Sequence, residues 1–377
     1  MLKEAHAEAA RRMGMRPEGV EAALRLIDGN IAGGEIPGGV AVVSRCGAAV
    51  RYAAGLAVDY GGNRIPATED TVYDCASLTK VVVTLPLVLK LIERGKVTLS
   101  DPVAMHVPEF AAGGKESVTI GQLLTHTSGL MAFTDMHSHG WSPERIFAYV
   151  MEQPLEYEPG TQVVYSDMGY IVLGRLIEKL TGLALPDAAR RDIFAPLGMA
   201  ESGYLPAAER KPRLAATEHY AYESDPRIGI VHDENASALG GVSGHAGLFA
   251  TAGDLARYAD AWLDACRGKP TPLLSPAAAR AATRCHTAAL DSGKRGLGWA
   301  LHGDKFDASG DLLGLASFGH TGFTGTSLYV DPELGLTAVL LTNRVHYGRS
   351  KSVARLRAAF HNALAAAVTE WETEREY

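Results

Sequence analysis

Cysteine is scarce. The 377 residues contain four, Cys46, Cys75, Cys266 and Cys285, and none stands in a C-x-x-C spacing. That excludes a disulfide framework and a thiolate zinc site, and it suits reduced core residues of a cytoplasmic protein. Runs of one charge are also missing. The formal net charge is −7 with no basic stretch, so neither nucleic acid nor an anionic membrane is an expected partner. The longest apolar piece, "VVVTLPLVLKLI", is broken by Pro86 and Lys90 and falls short of the ~18 residues a membrane span needs. The opening "MLKEAHAEAARRMGM" is charged throughout and has no apolar core of a signal peptide, so a cytoplasmic location is expected. The chain lacks the nucleophile elbow G-x-S-x-G; Ser243 in "GVSGH" comes nearest, with His245 where glycine is required. No internal repeat or low-complexity segment stands out.

What is present is ordinary for a soluble globular protein: 47% hydrophobic and 21% charged residues. The length allows two domains, or one with an insertion. Residues 17–32 repeat apolar positions at helical spacing. "GGVAVVSRCGAAVRYAAGLAVD" reads as two strands joined by a tight turn near Gly47. A helix running to about Arg94 follows. "TIGQ", Thr119 to Gln122, matches a capping box and opens a helix expected to end at Gly129 in "THTSG". "YIVLGRLIEKLTG" is an amphipathic helix with a glycine stop.

The last third changes character. "GLGWALH", "LASFGHTG", "GTSLYVDP" and "GLTAVLLTN" are short strand-like runs at close spacing, as in an antiparallel sheet. "SVARLRAAFHNALAAAVTEWETE" makes a terminal helix. Strands at both ends and helices between them imply an α/β (α+β) fold: one antiparallel sheet flanked by N- and C-terminal helices, with a mostly helical insertion. The boundaries expected are 1–75 and 250–377 for the sheet domain and 76–249 for the insertion, with the active site at their interface.

In "DCASLTKV", Ser77 and Lys80 form an S-x-x-K. On a helix start the two side chains lie one turn apart on the same face. A serine hydroxyl needs a base to become a nucleophile, and a lysine serves if burial or a helix N-terminus lowers its pKa. The plainer reading is an N-cap serine and a solvated lysine, and the spacing alone does not separate the two.

Two further stretches bear on the choice: "YSDMGY", from Tyr165, and "GHTGFTGTSLYVDP", from Gly319. With "SLTK", their order and separation resemble the serine β-lactamase and penicillin-binding protein superfamily, in particular its class C β-lactamase and class VIII esterase branch. "LLTHTSGL" and "GGVSGHAGLFATAGDLARY" are similar to stretches common there, so the likeness runs from about Ile36 to Arg344.

The resemblance implies a β-lactamase/transpeptidase-like fold and an acyl-enzyme hydrolase without metal or organic cofactor. Ser77 is then the nucleophile, Lys80 assists its deprotonation, and Tyr165 accepts or relays the proton. The N–H groups of Ser77 and Phe323 form the oxyanion hole, and Asp167, His320, Thr321 and Gly322 line the substrate. The sequence departs from the family twice, with His320 in place of the lysine of K-T-G and Asp167 in place of the asparagine of Y-x-N. Both exchanges make the site less positive. A substrate carboxylate should bind less well, which moves weight from β-lactams toward an ester or amide substrate. The alternatives are a D,D-carboxypeptidase or β-lactamase, or a non-catalytic penicillin-binding sensor or scaffold. A structural salt bridge is nearly as good a reading for Asp167 as a substrate contact.

Other candidates carry less. His126 reads as a satisfied helix-end histidine, His245 as structural, and Cys75 as a small buried residue. "DMHSH", with Asp135, His137 and His139, is weak as a metal motif and reads as a loop near the cleft mouth.

Overall fold

The computed structural model describes residues 4–369. Two helices, α1 (Glu4–Arg12) and α2 (Pro17–Ala32), precede strands β1 (Gly38–Arg45), β2 (Ala48–Tyr60), β3 (Asn63–Pro66) and β4 (Val72–Asp74). Pro17 opens α2 at the position where its missing N–H costs nothing. The turn at Gly47 joins β1 to β2 as expected, with Val43 facing Val50. After β4 the chain enters a wide π-helical turn, Lys80–Thr84, and continues as α3 (Leu85–Glu93). The middle holds α4 (Ile120–Leu124), α5 (Pro143–Glu152), α6 (Asp167–Thr181), α7 (Leu185–Ala189), α8 (Ala195–Leu197) and α9 (Glu234–Ala238). Strand β5 (Phe249–Thr251) leads into α10 (Ala252–Cys266) and α11 (Pro276–Thr283). Strands β6 (Ala300–Leu301), β7 (Phe318–Thr321), β8 (Ser327–Asp331) and β9 (Leu336–Thr342) and helix α12 (Ala354–Ala367) complete the described chain.

Seven strands form one antiparallel sheet in the order β3-β2-β1-β9-β8-β7-β6. The two ends of the sequence meet at β1 and β9, where Val42 faces Val339 and Arg45 faces Leu336. Both strands are buried along their whole length, because the sheet is covered on both faces. Alternation sorts the side chains. Ala41, Val43, Ala338 and Leu340 pack under α2 and α12. Val40, Val42, Val339 and Leu341 join the larger core with Trp262 of α10. Helices α2 and α12 approach so closely that a Cβ on Gly19 would lie 2.6 Å from the Ala367 side chain.

Three details differ from the sequence expectation. The Thr119 capping box is formed, but its helix ends at Leu124, and Gly129 is not its cap. Gly129, at φ +87, instead lies against Tyr157 O, 2.4 Å from where a Cβ would stand. The pair β4–β5 is a separate small sheet that three-residue runs do not announce. The terminal helix ends at Ala367, and the end of "AVTEWETE" lies outside the described residues.

His361, fully buried on α12, donates from Nδ1 to Ala308 O at 2.7 Å. Burial lowers its pKa to about 4. The unfolded value is about 6.5, so the unfolded chain binds the extra proton first. The stability tied to neutral His361 is complete above pH 6.5 and lost as pH falls toward 4, on the order of 3 kcal/mol across that window. Thermal melts from pH 7.5 to 4.5 should show this loss, and His361→Asn, which keeps a donor for Ala308, should flatten it. An equal slope in both proteins would contradict the assignment.

Candidate active site

The serine lies in a turn held under strain. β4 delivers the chain to Ala76, which adopts a left-handed φ of +46, unusual for a residue with a Cβ. Asp74 fixes it: Oδ1 accepts the Ala76 N–H at 2.8 Å and Oδ2 the His232 N–H at 2.6 Å. Thr79 Oγ1 donates to Ala76 O at 2.7 Å and accepts from Leu248 N–H at 3.1 Å. A helical turn follows, so Ser77 and Lys80 fall one turn apart. The π turn then widens the helix: Leu85 N–H reaches back five residues to Lys80 O. The widened turn is anchored by Thr84 Oγ1, which donates to Gly244 O at 2.6 Å, and by the Tyr258 hydroxyl on Val81 O.

Lys80 is wholly buried. Its Nζ donates to Ser77 Oγ and to His245 O, both at 3.0 Å, and lies 2.6 Å from Asp167 Oδ1. The last contact is a close ion pair with poor hydrogen-bond direction. The sequence reading expected a lowered lysine pKa. Burial does act that way, but the charge of Asp167, then Tyr165, outweighs it and raises the pKa above the ordinary lysine value. Lys80 is an ammonium that donates to Ser77, and it cannot take the serine's proton in this state.

Tyr165 and Asp167 reach the cleft by alternation. Ser166 between them is extended, at φ −125 and ψ 123, and turns its hydroxyl away to Met131 O at 2.6 Å. His126 is a helix-end residue, as expected: at φ +59 it follows α4, with its N–H on Leu123 O at 3.3 Å and the Thr127 N–H on Gln122 O at 2.9 Å. It sits buried against Tyr165 and Tyr170, with ring centroids 4.5 and 5.1 Å apart. Its Nδ1 accepts the Ser166 N–H at 3.1 Å. Burial, then the charges of Arg295 and Lys80, push its pKa well down, so it is neutral.

The other wall is the β7–β8 turn. Thr324 Oγ1 donates to Asp74 O at 2.8 Å and Thr326 Oγ1 to Cys75 O at 3.1 Å, which lashes this turn to the serine turn. From α12, Arg357 donates to Gly322 O and Thr326 O at 2.9 and 2.7 Å. Neighbouring amides are engaged, Leu78 N–H with Cys75 O and Gly322 N–H with Thr326 O. Those of Ser77 and Phe323 have no partner among the described residues. His320 is buried, and its Nδ1–H donates to Thr321 O at 2.9 Å. Burial, then Arg295 and Lys80, hold its pKa well below the usual value, so this position carries no charge.

The cleft between these walls has a volume of about 480 Å³, ordinary for a small ligand. It brings together Ser77, Tyr165, Asp167, His320, Thr321, Gly322 and Phe323. Phe133 and Phe306 form an apolar rim. The sequence reading missed Arg295, Arg344, Arg349 and Arg357, all of which line the cleft. Arg295 pairs with buried Asp304 at 3.4 Å, and Arg349 bonds Glu218 and Glu234. Arg344 donates to the carbonyls of Arg349 and Lys351 and covers the Phe323 ring at 4.6 Å. Burial lowers the Arg357 pKa to about 10, which leaves it charged. The one available signal was "NRVHYGRS", two cations just past the last strand.

Asp233 was also missed. It caps α9 through Ala236 N–H at 2.8 Å and meets His245 Nε2 at 2.9 Å. His245 Nδ1 faces Ser243 Oγ at 2.7 Å, so His245 supports the site from behind. Ligand atoms of Asp167, Asp233 and His245 lie within 4.8 Å of one another, a possible cation cluster. It surrounds the acceptors of Lys80, whose ammonium supplies the positive charge there. In the Asp135 loop His137 pairs with Asp135 at 2.9 Å and His139 stacks on Trp141, while Asn235 ties the loop to α9 through the Met136 N–H and Thr134 O. Cys75 is buried, with its thiol pKa pushed well up by burial, and is no nucleophile. No helix among the described residues is long and apolar enough to cross a membrane.

Comparison with known proteins agrees with this geometry. The chain matches the Beta-lactamase family over residues 23–363 and belongs to it; it is a serine hydrolase of that family. An Escherichia coli K12 protein provisionally named a D-alanyl-D-alanine carboxypeptidase is 32% identical over 330 residues, 78% of this chain and 75% of that one. A penicillin-binding protein homologue from Caulobacter crescentus shares the fold at a TM-score of 0.75 and 23% identity, over 93% of this chain and 98% of that one. A hydrolase with promiscuous acyltransferase activity does so at 0.73 and 22%, over 96% and 100%.

Gly322 tests the contact between the two turns. A Cβ there would stand 2.1 Å from Thr326 Oγ1 and 2.5 Å from Cys75 O. Gly322→Ala should force the β7–β8 turn away from Ser77 and slow fluorophosphonate labelling by ~10²-fold in a protein that still melts cooperatively. An unchanged labelling rate would show that the close approach does not matter.

Proposed function

We propose that the protein cleaves amide or ester acyl donors through an acyl-enzyme on Ser77. The observation that carries this reading is the 3.0 Å contact between the buried Lys80 ammonium and Ser77 Oγ, beside two unengaged amide N–H groups. In the first half-reaction Ser77 Oγ bonds to the substrate carbonyl carbon, and its proton passes to the phenolate form of Tyr165. The oxyanion is held by the N–H groups of Ser77 and Phe323, commonly the largest single contribution in acyl transfer. Tyr165 returns the proton to the leaving amine or alkoxide as the bond to it breaks. Water then repeats the sequence on the ester of Ser77 and releases the acid.

The substrate class favoured is a peptide with a free terminal carboxylate, as for a D,D-carboxypeptidase. Neutral His320 offers no charge to such a group, but Arg344 does: it bonds carbonyls and forms no close ion pair among the described residues, with Glu218 acting on it from farther off. The name carried by the E. coli relative supports the same class. A second reading, an esterase for neutral substrates, is favoured by the uncharged His320 and the apolar rim of Phe133 and Phe306.

Fluorophosphonate or fluorescent penicillin should label the wild type and leave Ser77→Ala unlabelled; an adduct on Ser77→Ala would mean another nucleophile. A peptide ending in D-Ala-D-Ala should be hydrolysed at least about tenfold better than its C-terminal amide, and Arg344→Gln should remove that margin through KM, since a charge-assisted contact is worth ~1.5–3 kcal/mol. Equal rates for acid and amide, with faster p-nitrophenyl ester turnover, would favour the esterase reading.

A further inference from the structure

Lys80 Nζ donates to Ser77 Oγ and His245 O and forms a close ion pair with Asp167 Oδ1, and an ammonium has three protons and no lone pair. Asp167 is the first residue of α6, where the helix N-terminus favours a carboxylate. Its backbone N–H is tied to Ala132 O at 3.2 Å, so the side chain is aimed from a fixed point. Asp233 stands close behind, held as a carboxylate by His245 and by the Ala236 N–H. Loss of the Lys80 proton would leave two carboxylates facing one another in a half-buried site with their main cation gone. Like charges at that range strongly oppose such a state.

We infer that Asp167, braced by Asp233 and His245, is a positioning residue that keeps Lys80 a charged hydrogen-bond donor to Ser77 and so leaves proton acceptance to Tyr165. The inference rests on the acyl-enzyme reading above and goes beyond it by naming what fixes the division of labour. Among the other groups around Lys80, Tyr165 favours the ammonium next after Asp167. Tyr165 and Tyr170 present their rings at 4.9 and 5.6 Å. His126 and His320 are neutral, and Arg295 is already paired with Asp304. A neutral amide at position 167 would remove the closest and largest counter-charge and leave Tyr165 as the lesser opposition to burial at Lys80.

The test uses full-length wild type, Asp167→Asn and Asp167→Glu. The rate of fluorophosphonate labelling on Ser77 is followed from pH 6 to 10. In parallel, the Lys80 resonance is followed in protein labelled with [13Cε]lysine and assigned with Lys80→Arg. The wild type should keep an ammonium shift and a labelling rate that does not decline up to pH 10. In Asp167→Asn the Lys80 resonance should titrate within the range, with labelling falling about tenfold per pH unit above that midpoint. Asp167→Glu should restore most of both. Asp167→Asn labelling that is unchanged, or faster at neutral pH, would overturn the inference, because Lys80 would then act as a free amine that Asp167 restrains. A Lys80 resonance that does not move in Asp167→Asn would overturn it too. The NMR readout does not depend on which residue is labelled, so it separates failure of this inference from failure of the Ser77 assignment.

Discussion

A lysine ammonium with no solvent exposure is costly, several kcal/mol per ion even after the surroundings relax. Lys80 is in that position, and much of the surrounding structure serves to satisfy it. Its partners come from three segments: Ser77 from the same helical turn, Asp167 from the start of α6, and the carbonyl of His245 from the loop before β5. None can move alone. The Ser166 backbone is held by His126, the His245 ring by Asp233 and Ser243, and the π turn after Lys80 by Gly244 and Tyr258. The ion pair does not by itself argue for stability, since buried pairs often only break even. Its effect is on geometry: an unsatisfied partner would be so costly that the three segments are kept in one arrangement.

The second constraint is the lashing of two turns. The serine turn is the end of the small β4–β5 sheet, and the β7–β8 turn belongs to the large one. Thr324 and Thr326 bridge them through carbonyls of Asp74 and Cys75, and Arg357 grips the far side. The N–H groups of Ser77 and Phe323 therefore come from different sheets. The contact between the two turns that carry them depends on two threonine hydroxyls and on a glycine with no room for a Cβ.

Most of the large sheet was legible in the sequence, because its strands are β-branched, apolar runs between turn signals and its flanking helices have apolar periods. Ser77, Lys80, Tyr165 and the segment from His320 to Phe323 were legible as well, since each sits at a motif position. What stayed hidden has one cause: its partner lies far away along the chain. Asp233 looks like a helix cap and is one, yet its second face braces the Lys80 site. Arg357 looks like any arginine on an amphipathic helix. Gly129 has the form of a helix stop, and only the Tyr157 carbonyl pressed against it explains it. The direction of the Lys80 shift was misread for the same reason. Burial and the helix N-terminus are local, whereas Asp167 arrives from 87 positions later.

The charge pattern of the cleft follows from these remote arrivals. Read from the motifs alone, lysine to histidine and asparagine to aspartate make the site more acidic. In the folded protein Asp167 is already matched by Lys80, so it adds little field at the cleft surface. His320 is neutral because it is buried, with Arg295 and Lys80 near it adding to the effect. The positive charge that the motif position gives up is present nearby, on Arg344 beyond β9 and Arg357 on α12. The motif cation is therefore displaced to other elements of the fold, and an anionic substrate group would meet it at the Phe323 end of the cleft, beside the proposed oxyanion donor.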